Sequence, residues 1–522
     1  MPSTLVNHTL DSLAQGVSQQ FSEARFESQV DDMTNCIPSV SRGILRRNPL
    51  VGVSDLDAGL TETNYFVYSY DRGTDGEQYI FMVGNGTWLV MNANDGATIS
   101  SGTDAYLNLP VGAVPRDSFD MVTIQDTSFL VNKTKTTAMT AAVDGVVDAH
   151  KETGVYWVKR TSQVTTVTGT NPEYQGYIYE LNAQTVQATK TASLNYLQGS
   201  QIATQLASQL GAGYTAEGPY VYSLNRTAGS SWAWSDSFGN EASFGFKGEV
   251  RSSSKLPDRM PDNLVDTLVE ITGDTDESED NYWLQYTGTT WIEAREPGMA
   301  NTIDDSTMPH VFKRNTLSNF TFEPWVWETR NVGSALTNPE PSFIGNTIES
   351  MFFHKNRLGF IANDSVVLSG LSEYGNFWAT SIRTIPDTDP IDLAIATTDV
   401  TILRAAVSTA ETLILFSDDA QFTLNSTGGS LTPETAVIEV ASRYNYTSKS
   451  APKAIGNVVY FASESGGYTQ FFGYRLGEGI DITKAENLTV QVPSFIPKDV
   501  RYIRGHSSLG FVFAWSEQTP NS

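Results

Sequence analysis

The sequence predicts a mainly β chain, with a propeller-like architecture of hairpins and blades and one inserted α+β domain. Three observations carry that expectation. Short runs rich in Val, Ile, Tyr, Phe, Trp and Thr alternate with Gly, Asn and Asp, the residues of strands and of the turns that reverse them. Strand–turn–strand units recur with irregular spacing, as expected when antiparallel blades pack around an axis. One stretch, about 151–330, interrupts this texture with a helical pattern. The resulting division is 1–150 for the N-terminal segment and first hairpins, 151–330 for the insertion, and 331–522 for a propeller-like β domain.

The elements follow in order. In QYIFMVGNGTWLVMNANDG, two strand-like runs at 79–83 and 87–91 flank Gly84-Asn85-Gly86, residues that tolerate positive φ. Similar units stand at 120–132, 351–369, 402–424, 454–476 and 500–515. In the middle region YIYELNAQTVQATKTA alternates as a strand pair does. GSQIATQLASQLGAG then sets Ile202, Leu206 and Leu210 four apart, on one helical face, with Gly211 as the stop. That stripe reads as core, because a helix without basic residues offers a membrane surface little. YVYSLN, KLPDRMPDNLVDTLVEITGD and the hairpin NYWLQYTGTTWIEA, turning at Thr287-Gly288, complete the insertion.

Composition narrows the function classes. The 522 residues carry 59 acids and 33 bases, a net charge of -26. High-affinity nucleic-acid binding recruits Lys and Arg to displace condensed counterions, so this balance argues against it. A conduit through which DNA slides is different, since each favourable salt link would act as a brake. The single cysteine, Cys36, forms no disulfide within the chain; it fits a reducing compartment or a virion assembled in cytoplasm, and is expected as a small, half-buried apolar residue. The first twenty residues lack the basic start and apolar run of a signal peptide. No run of about 18 apolar residues occurs, so the chain is expected to be soluble, without stable membrane insertion.

The candidate sites weaken on inspection. His8, His150, His310, His354 and His506 are scattered, without zinc-ligand spacing. GDTDESEDN (273–281) places Asp274, Asp276 and Ser278 as a calcium loop would, but lacks the sixth-position glycine and has Gln285 at the bidentate position; an exposed acidic loop is expected. PDTDPID (386–392) gathers Asp387, Asp389 and Asp392, the residue type of glycoside hydrolysis, although carboxylates in a Pro-bounded turn more often cap backbone N–H groups. GNEASFGFKG lacks phosphate-loop spacing, and no G-x-S-x-G is present. FFHKNRLGF (352–360) concentrates His354, Lys355, Asn356 and Arg357, but with only Gly359 near it reads as a hairpin turn and not a phosphate grip. No catalytic, cofactor or metal residue is therefore assigned.

At this stretch the sequence resembles a known family. FIGNTIESMFFHKNRLGFIANDSVVLSGLSEYGNFW, followed by DTDPIDLAIATTDVTILRAAVSTAETLILFSDDAQFTL, is similar to the podovirus tail tubular protein B family, the tail nozzle proteins. GVSQQ (16–20), GILRRNPLV (43–51), SKLPDRMPDNLVDTLVEITGD, TMPHVFKR (307–314) and the stretch 458–500 follow in the same order; each is weak alone, and their collinear order carries the match.

The resemblance implies a structural, non-enzymatic virion component. It would form a homohexameric ring below the portal, against a tail tubular protein A-like adaptor ring. It would conduct genomic DNA through its channel without specific binding during ejection, dock tail fibres, and assemble in host cytoplasm. Family members are typically longer, continuing through further β structure that forms the narrow tip of the nozzle; this sequence stops at SEQTPNS, and that tip is expected to be absent from it. The rival expectations are a receptor-binding or glycan-degrading tail protein using Asp387, Asp389 and Asp392, and a calcium-stabilised adhesin using Asp274 and Asp276.

Overall fold

The computed structural model describes residues 13–39, 41–47, 52, 63–73, 77–141, 153–160, 162–163, 178–187, 196–224, 232–273, 281–396, 401–427, 429–475, 484–507 and 510–519. Within them the chain is mostly strand, arranged as many small antiparallel sheets. Five of these sheets have four strands each.

The first four-stranded sheet joins Phe66–Asp71, Gln78–Val83, Thr87–Asn92 and Thr98–Thr103 as consecutive antiparallel neighbours. The second starts with Phe119–Ile124 and Thr127–Asn132, and is completed by His310–Thr316 and Asn319–Pro324. The third uses Ser350–His354, Arg357–Ala362, Ser365–Leu368 and Ile391–Ala394. Leu403–Ser408, Leu413–Ser417, Gln421–Ser426 and Ala436–Ser442 make the fourth. The fifth comprises Lys453–Ile455, Val458–Ser465, Tyr468–Arg475 and Glu486–Asn487. A hairpin of Val500–His506 and Phe511–Ser516 follows, in a sheet of two strands.

Period-two side-chain alternation explains how these sheets cohere. Phe129 and Val131 face a cluster shared with the third sheet, whereas Leu130 between them joins one shared with the first. Leu358, Phe360 and Ala362 continue the former cluster, and Ile361 turns the other way, toward Leu413, Leu415 and Phe422. Ile414 and Phe416 point away from those leucines onto Val459, Phe461 and Tyr474. Ala462 and Phe471 then meet Val500 and Ile503. The second to fifth sheets are apolar on both faces because each shares a cluster with a neighbour on either side, and every fully covered aliphatic or aromatic side chain adds about 1.5–3 kcal/mol.

Polar links supplement this packing. Ser350–His354 lies against both Phe119–Ile124 and Leu403–Ser408, and the Asp120 carboxylate accepts from Ser350 Oγ at 2.8 Å and Met351 N at 3.0 Å. The 500–516 hairpin is tied to the entrance of the second sheet by Arg501–Asp117 at 3.6 Å and Arg116–Glu517 at 3.5 Å. Arg501 also reaches Glu517 at 2.9 Å.

Between Asn132 and His310 the chain forms a separate set of elements. An eight-stranded sheet runs from Thr215–Glu217 through Tyr220–Ser223, Gly154–Val158, Ser243–Lys247, Glu249–Val250, Leu268–Ile271 and Tyr282–Tyr286 to Trp291–Ala294. Its one parallel junction lies between Glu249–Val250 and Leu268–Ile271. The helix expected from the leucine spacing spans Gly199–Leu210 and buries Ile202 and Leu206 against Tyr156, Tyr179 and Val221. Gly211, at φ 82°, ends it, in a conformation that a side chain with a Cβ resists. The hairpin expected at Thr287-Gly288 is also present. Among the described residues no helix is long and apolar enough to cross a membrane.

Candidate functional site

The 352–360 segment forms two strands and a tight turn. Lys355 and Asn356, at φ 46° and 61°, are the two turn residues, the left-handed pair that matches the twist of a hairpin. His354 is opposite Arg357 in the ladder, which sends both side chains to the same face.

That face points inward. Arg357 is 1% exposed, and its Nη1 donates to the carbonyls of Ser369 at 2.8 Å and Asp389 at 2.6 Å, and more weakly to Thr388 at 3.4 Å. Its Nη2 donates to Asp387 O at 2.7 Å. Both terminal nitrogens are thus spent on main-chain carbonyls, mostly those of the acidic loop, and burial keeps the group from a phosphate in solution. His354 is buried, with Nδ1 at 2.9 Å from Ser408 Oγ; burial, helped by the neighbouring Lys355 charge, pushes its pKa down to about 4. Lys355 stays exposed and donates to Ala410 O at 2.7 Å. Gly359 closes the unit, because a Cβ there would stand 2.2 Å from the Phe352 ring.

Two of the loop's carboxylates are engaged as well. Asp389, 3% exposed, accepts from Thr380 N at 3.1 Å and Thr380 Oγ1 at 2.6 Å. Asp392 Oδ2 accepts from Ser342 N at 2.7 Å. Asp387 contributes its carbonyl. These are capping and bracing roles, and no acid/base pair facing a common cleft is formed by the three.

The remaining candidates are also placed. His310 stacks on Tyr106 at 4.1 Å, with Nδ1 at 3.0 Å from Met308 O, and burial lowers its pKa. His506 is exposed, while His8, His150, Asp274, Asp276 and Ser278 lie outside the described residues. Gln285 donates to Asp266. In the glycine-bearing turn near 240, Asp236 already accepts from the amides of Phe238, Asn240, Ala242 and Ser243, filling with its own carboxylate the nest an anion would need. Cys36, expected half-buried, is exposed, on a strand whose residues are exposed or half-buried throughout. Among the described residues no group of three His, Cys, Asp or Glu side chains is placed so that it could hold a metal ion.

A cleft of about 690 Å3 opens beside the acidic loop, walled by Trp325, Val326, Glu328, Glu373, Tyr374 and Trp378. Its floor is held by Glu328 N donating to Gly375 O at 2.9 Å and Trp378 Nε1 to Glu328 O at 3.0 Å. Behind it Arg330, 1% exposed, stacks on Trp378 at 4.7 Å and donates to Ala300 O and Asn338 O. Sequence reasoning did not single out Arg330, or Asp120 and the Arg116, Arg501 and Glu517 link. Their partners are remote in the chain, and no local pattern marks them.

Comparison with known proteins agrees with a site that braces and does not catalyse. Tail tubular protein gp12 of Escherichia phage T7 is 27% identical over 551 residues, covering 99% of this chain and 65% of that protein. The chain therefore spans less than two thirds of that relative's length. The β-propeller domain of Cps50 (Swd1) from Myceliophteria thermophila aligns at TM-score 0.25 and 11% identity, over 46% of this chain and 75% of that one. A NanB structure with Optactamide aligns at TM-score 0.31 and 11% identity, over 85% and 63%; neither score carries an argument here. A family model described as bacteriophage nozzle protein matches residues 3–522. With that match running through the braced 352–360 turn and the acidic loop, the chain belongs to the bacteriophage nozzle protein family, a structural family of the phage tail and not one of enzymes.

Proposed function

We propose that the protein forms a six-fold ring in the virion tail, set below the portal against an adaptor ring, which conducts DNA during ejection and offers docking surface to tail fibres. The observation that carries this reading is the family match across residues 3–522. The net charge of -26 supports a wall that repels phosphate and binds no sequence. Assembly in host cytoplasm fits a lone, exposed thiol.

Within each subunit, the proposal arranges the four-stranded sheets as blades around an axis, with 500–516 in sixth place. Support comes from the succession of shared apolar clusters and from the ion pairs that return the last hairpin to residues 116–117. The division into 1–150, 151–330 and 331–522 is proposed with it, the insertion being centred on the eight-stranded sheet. Glycan cleavage by the acidic loop is not favoured, since the carboxylates of Asp389 and Asp392 are occupied by Thr380 and Ser342.

Electron microscopy of the purified chain, alone and with its neighbouring tail proteins, tests the proposal. A six-fold ring with an axial channel is expected; a dispersed monomer that adds to no tail assembly would overturn it.

A further inference from the structure

Among the described residues no apolar cluster is shared between the eight-stranded sheet and the four-stranded ones. Val155, Phe246, Leu264 and Leu284 pack with one another on one face of the long sheet. On the other face Ile202 and Leu206 of the helix pack on Tyr156 and Val221. The clusters that tie the four-stranded sheets together take no residue from 154–294. Two bodies that share no apolar core move against each other unless something else holds them.

What joins them here is polar. Glu293 lies on Trp291–Ala294, the edge strand of the long sheet. Its Oε1 accepts from Ser381 Oγ at 3.1 Å and its Oε2 from Ile382 N at 3.0 Å. Next along that loop, the Arg383 guanidinium lies over the Tyr282 ring at 5.5 Å. A second joint stands where the chain leaves the sheet: Gly333 N donates to Ala294 O at 3.1 Å, and Glu296 N donates to Gly333 O at 2.8 Å. Beyond it the chain is already fixed to the body of four-stranded sheets, because Arg330 N donates to Asn301 O at 2.7 Å and Arg330 Nη2 to Ala300 O.

We propose that the eight-stranded sheet, with its helix, is a body that pivots at residues 294–296 against Gly333, and that Glu293 is the latch that fixes its angle. Two main-chain bonds to a single residue define a hinge. A second attachment to one side, at 381–382, stops rotation about it. Both latch bonds end on one carboxylate, and bonds to an ionised acceptor are the stronger kind, so one side chain decides between a fixed and a free insertion. The receiving loop is itself held, by Arg357 on the Asp387 and Asp389 carbonyls and by Thr380 on the Asp389 carboxylate. The latch therefore closes on a rigid stop. The pivot belongs to a single chain and does not rest on the ring.

Spin-label distances in the full chain test it. Cys36→Ser removes the only native thiol. Ser208→Cys on the helix and Glu439→Cys on the fourth sheet, both exposed, carry the labels, and dilution with unlabelled chain restricts the reading to distances within one copy. Double electron–electron resonance should give one narrow distance for this parent. Glu293→Ala should replace it with a broad distribution while circular dichroism stays unchanged. Glu293→Gln, which keeps one acceptor oxygen, should fall between the two. Glu323→Ala, which removes the partner of Lys313 in the second sheet, should keep the narrow distance. A narrow distance that survives Glu293→Ala, or a parent that is already broad, would overturn the latch. Unfolding of the Glu293→Ala and Glu293→Gln chains alike would mark the contact as part of one cooperative fold and overturn the pivot.

Discussion

The strand Leu413–Ser417 is buried at every residue, whereas Phe511–Ser516 is buried only at its last. Both are β-rich, and both follow the first strand of their sheet. What separates them is company: the first lies in a sheet covered on two faces, the second at the end of the series, where one edge has no neighbour among the described residues. Apolar content alone therefore does not mark a core strand here. Among the described residues, cover on the sheet's faces decides whether the same residue types become interior or stay exposed.

Substitutions can sharpen that contrast. The largest effect is expected inside, at Arg357→Met, which leaves the carbonyls of Ser369, Asp387 and Asp389 without their donor. Each unmet buried group costs about 1–3 kcal/mol, so urea unfolding should show a loss of about 4 kcal/mol. Gly359→Ala comes next, since its methyl would press on the Phe352 ring; overpacking of this kind costs about 3 kcal/mol.

His354 gives a smaller, pH-dependent term. Its folded pKa of about 4 lies below the ordinary 6.5, so as pH falls the unfolded chain takes the proton first. Its contribution is intact above pH 6.5 and is lost as pH falls toward 4, by about 2 kcal/mol at pH 5. His354→Asn should flatten that part of the stability–pH curve. At the outer end, Phe513→Ser should change monomer stability by less than about 0.5 kcal/mol. If it costs as much as Gly359→Ala, the contrast between the two strands is wrong.

Much of the fold was legible in the sequence because its units are local. The hairpins at 120–132, 351–369, 402–424, 454–476 and 500–515 and the 199–210 helix each carry their own turn or periodicity signal, and each is present. What was not legible involves partners far apart in the chain. Residues 310–324 pair with 127–132, across the intervening insertion. The burial of Arg357 in the expected turn was not legible because its acceptors are loop carbonyls, which no side-chain pattern reveals. The exposure of Cys36 is not legible for a related reason: CIPS reads like a buried strand, and its exposure depends on what packs against it. The bracing roles of Asp389 and Asp392 agree with the capping expectation for a Pro-bounded turn.

Arg357 binds main-chain oxygens of Asp387, Thr388 and Asp389 and takes no hydrogen bond to the side chains of Asp387 and Thr388. The grip constrains the path of the loop while leaving the chemical character of positions 387 and 388 open. Asp387 and Thr388 are therefore natural places to vary, carrying a reporter, a tag or a new recognition group without disturbing what holds them. A loop anchored by its backbone is a display platform, and its motif can drift in lettering while its shape stays put.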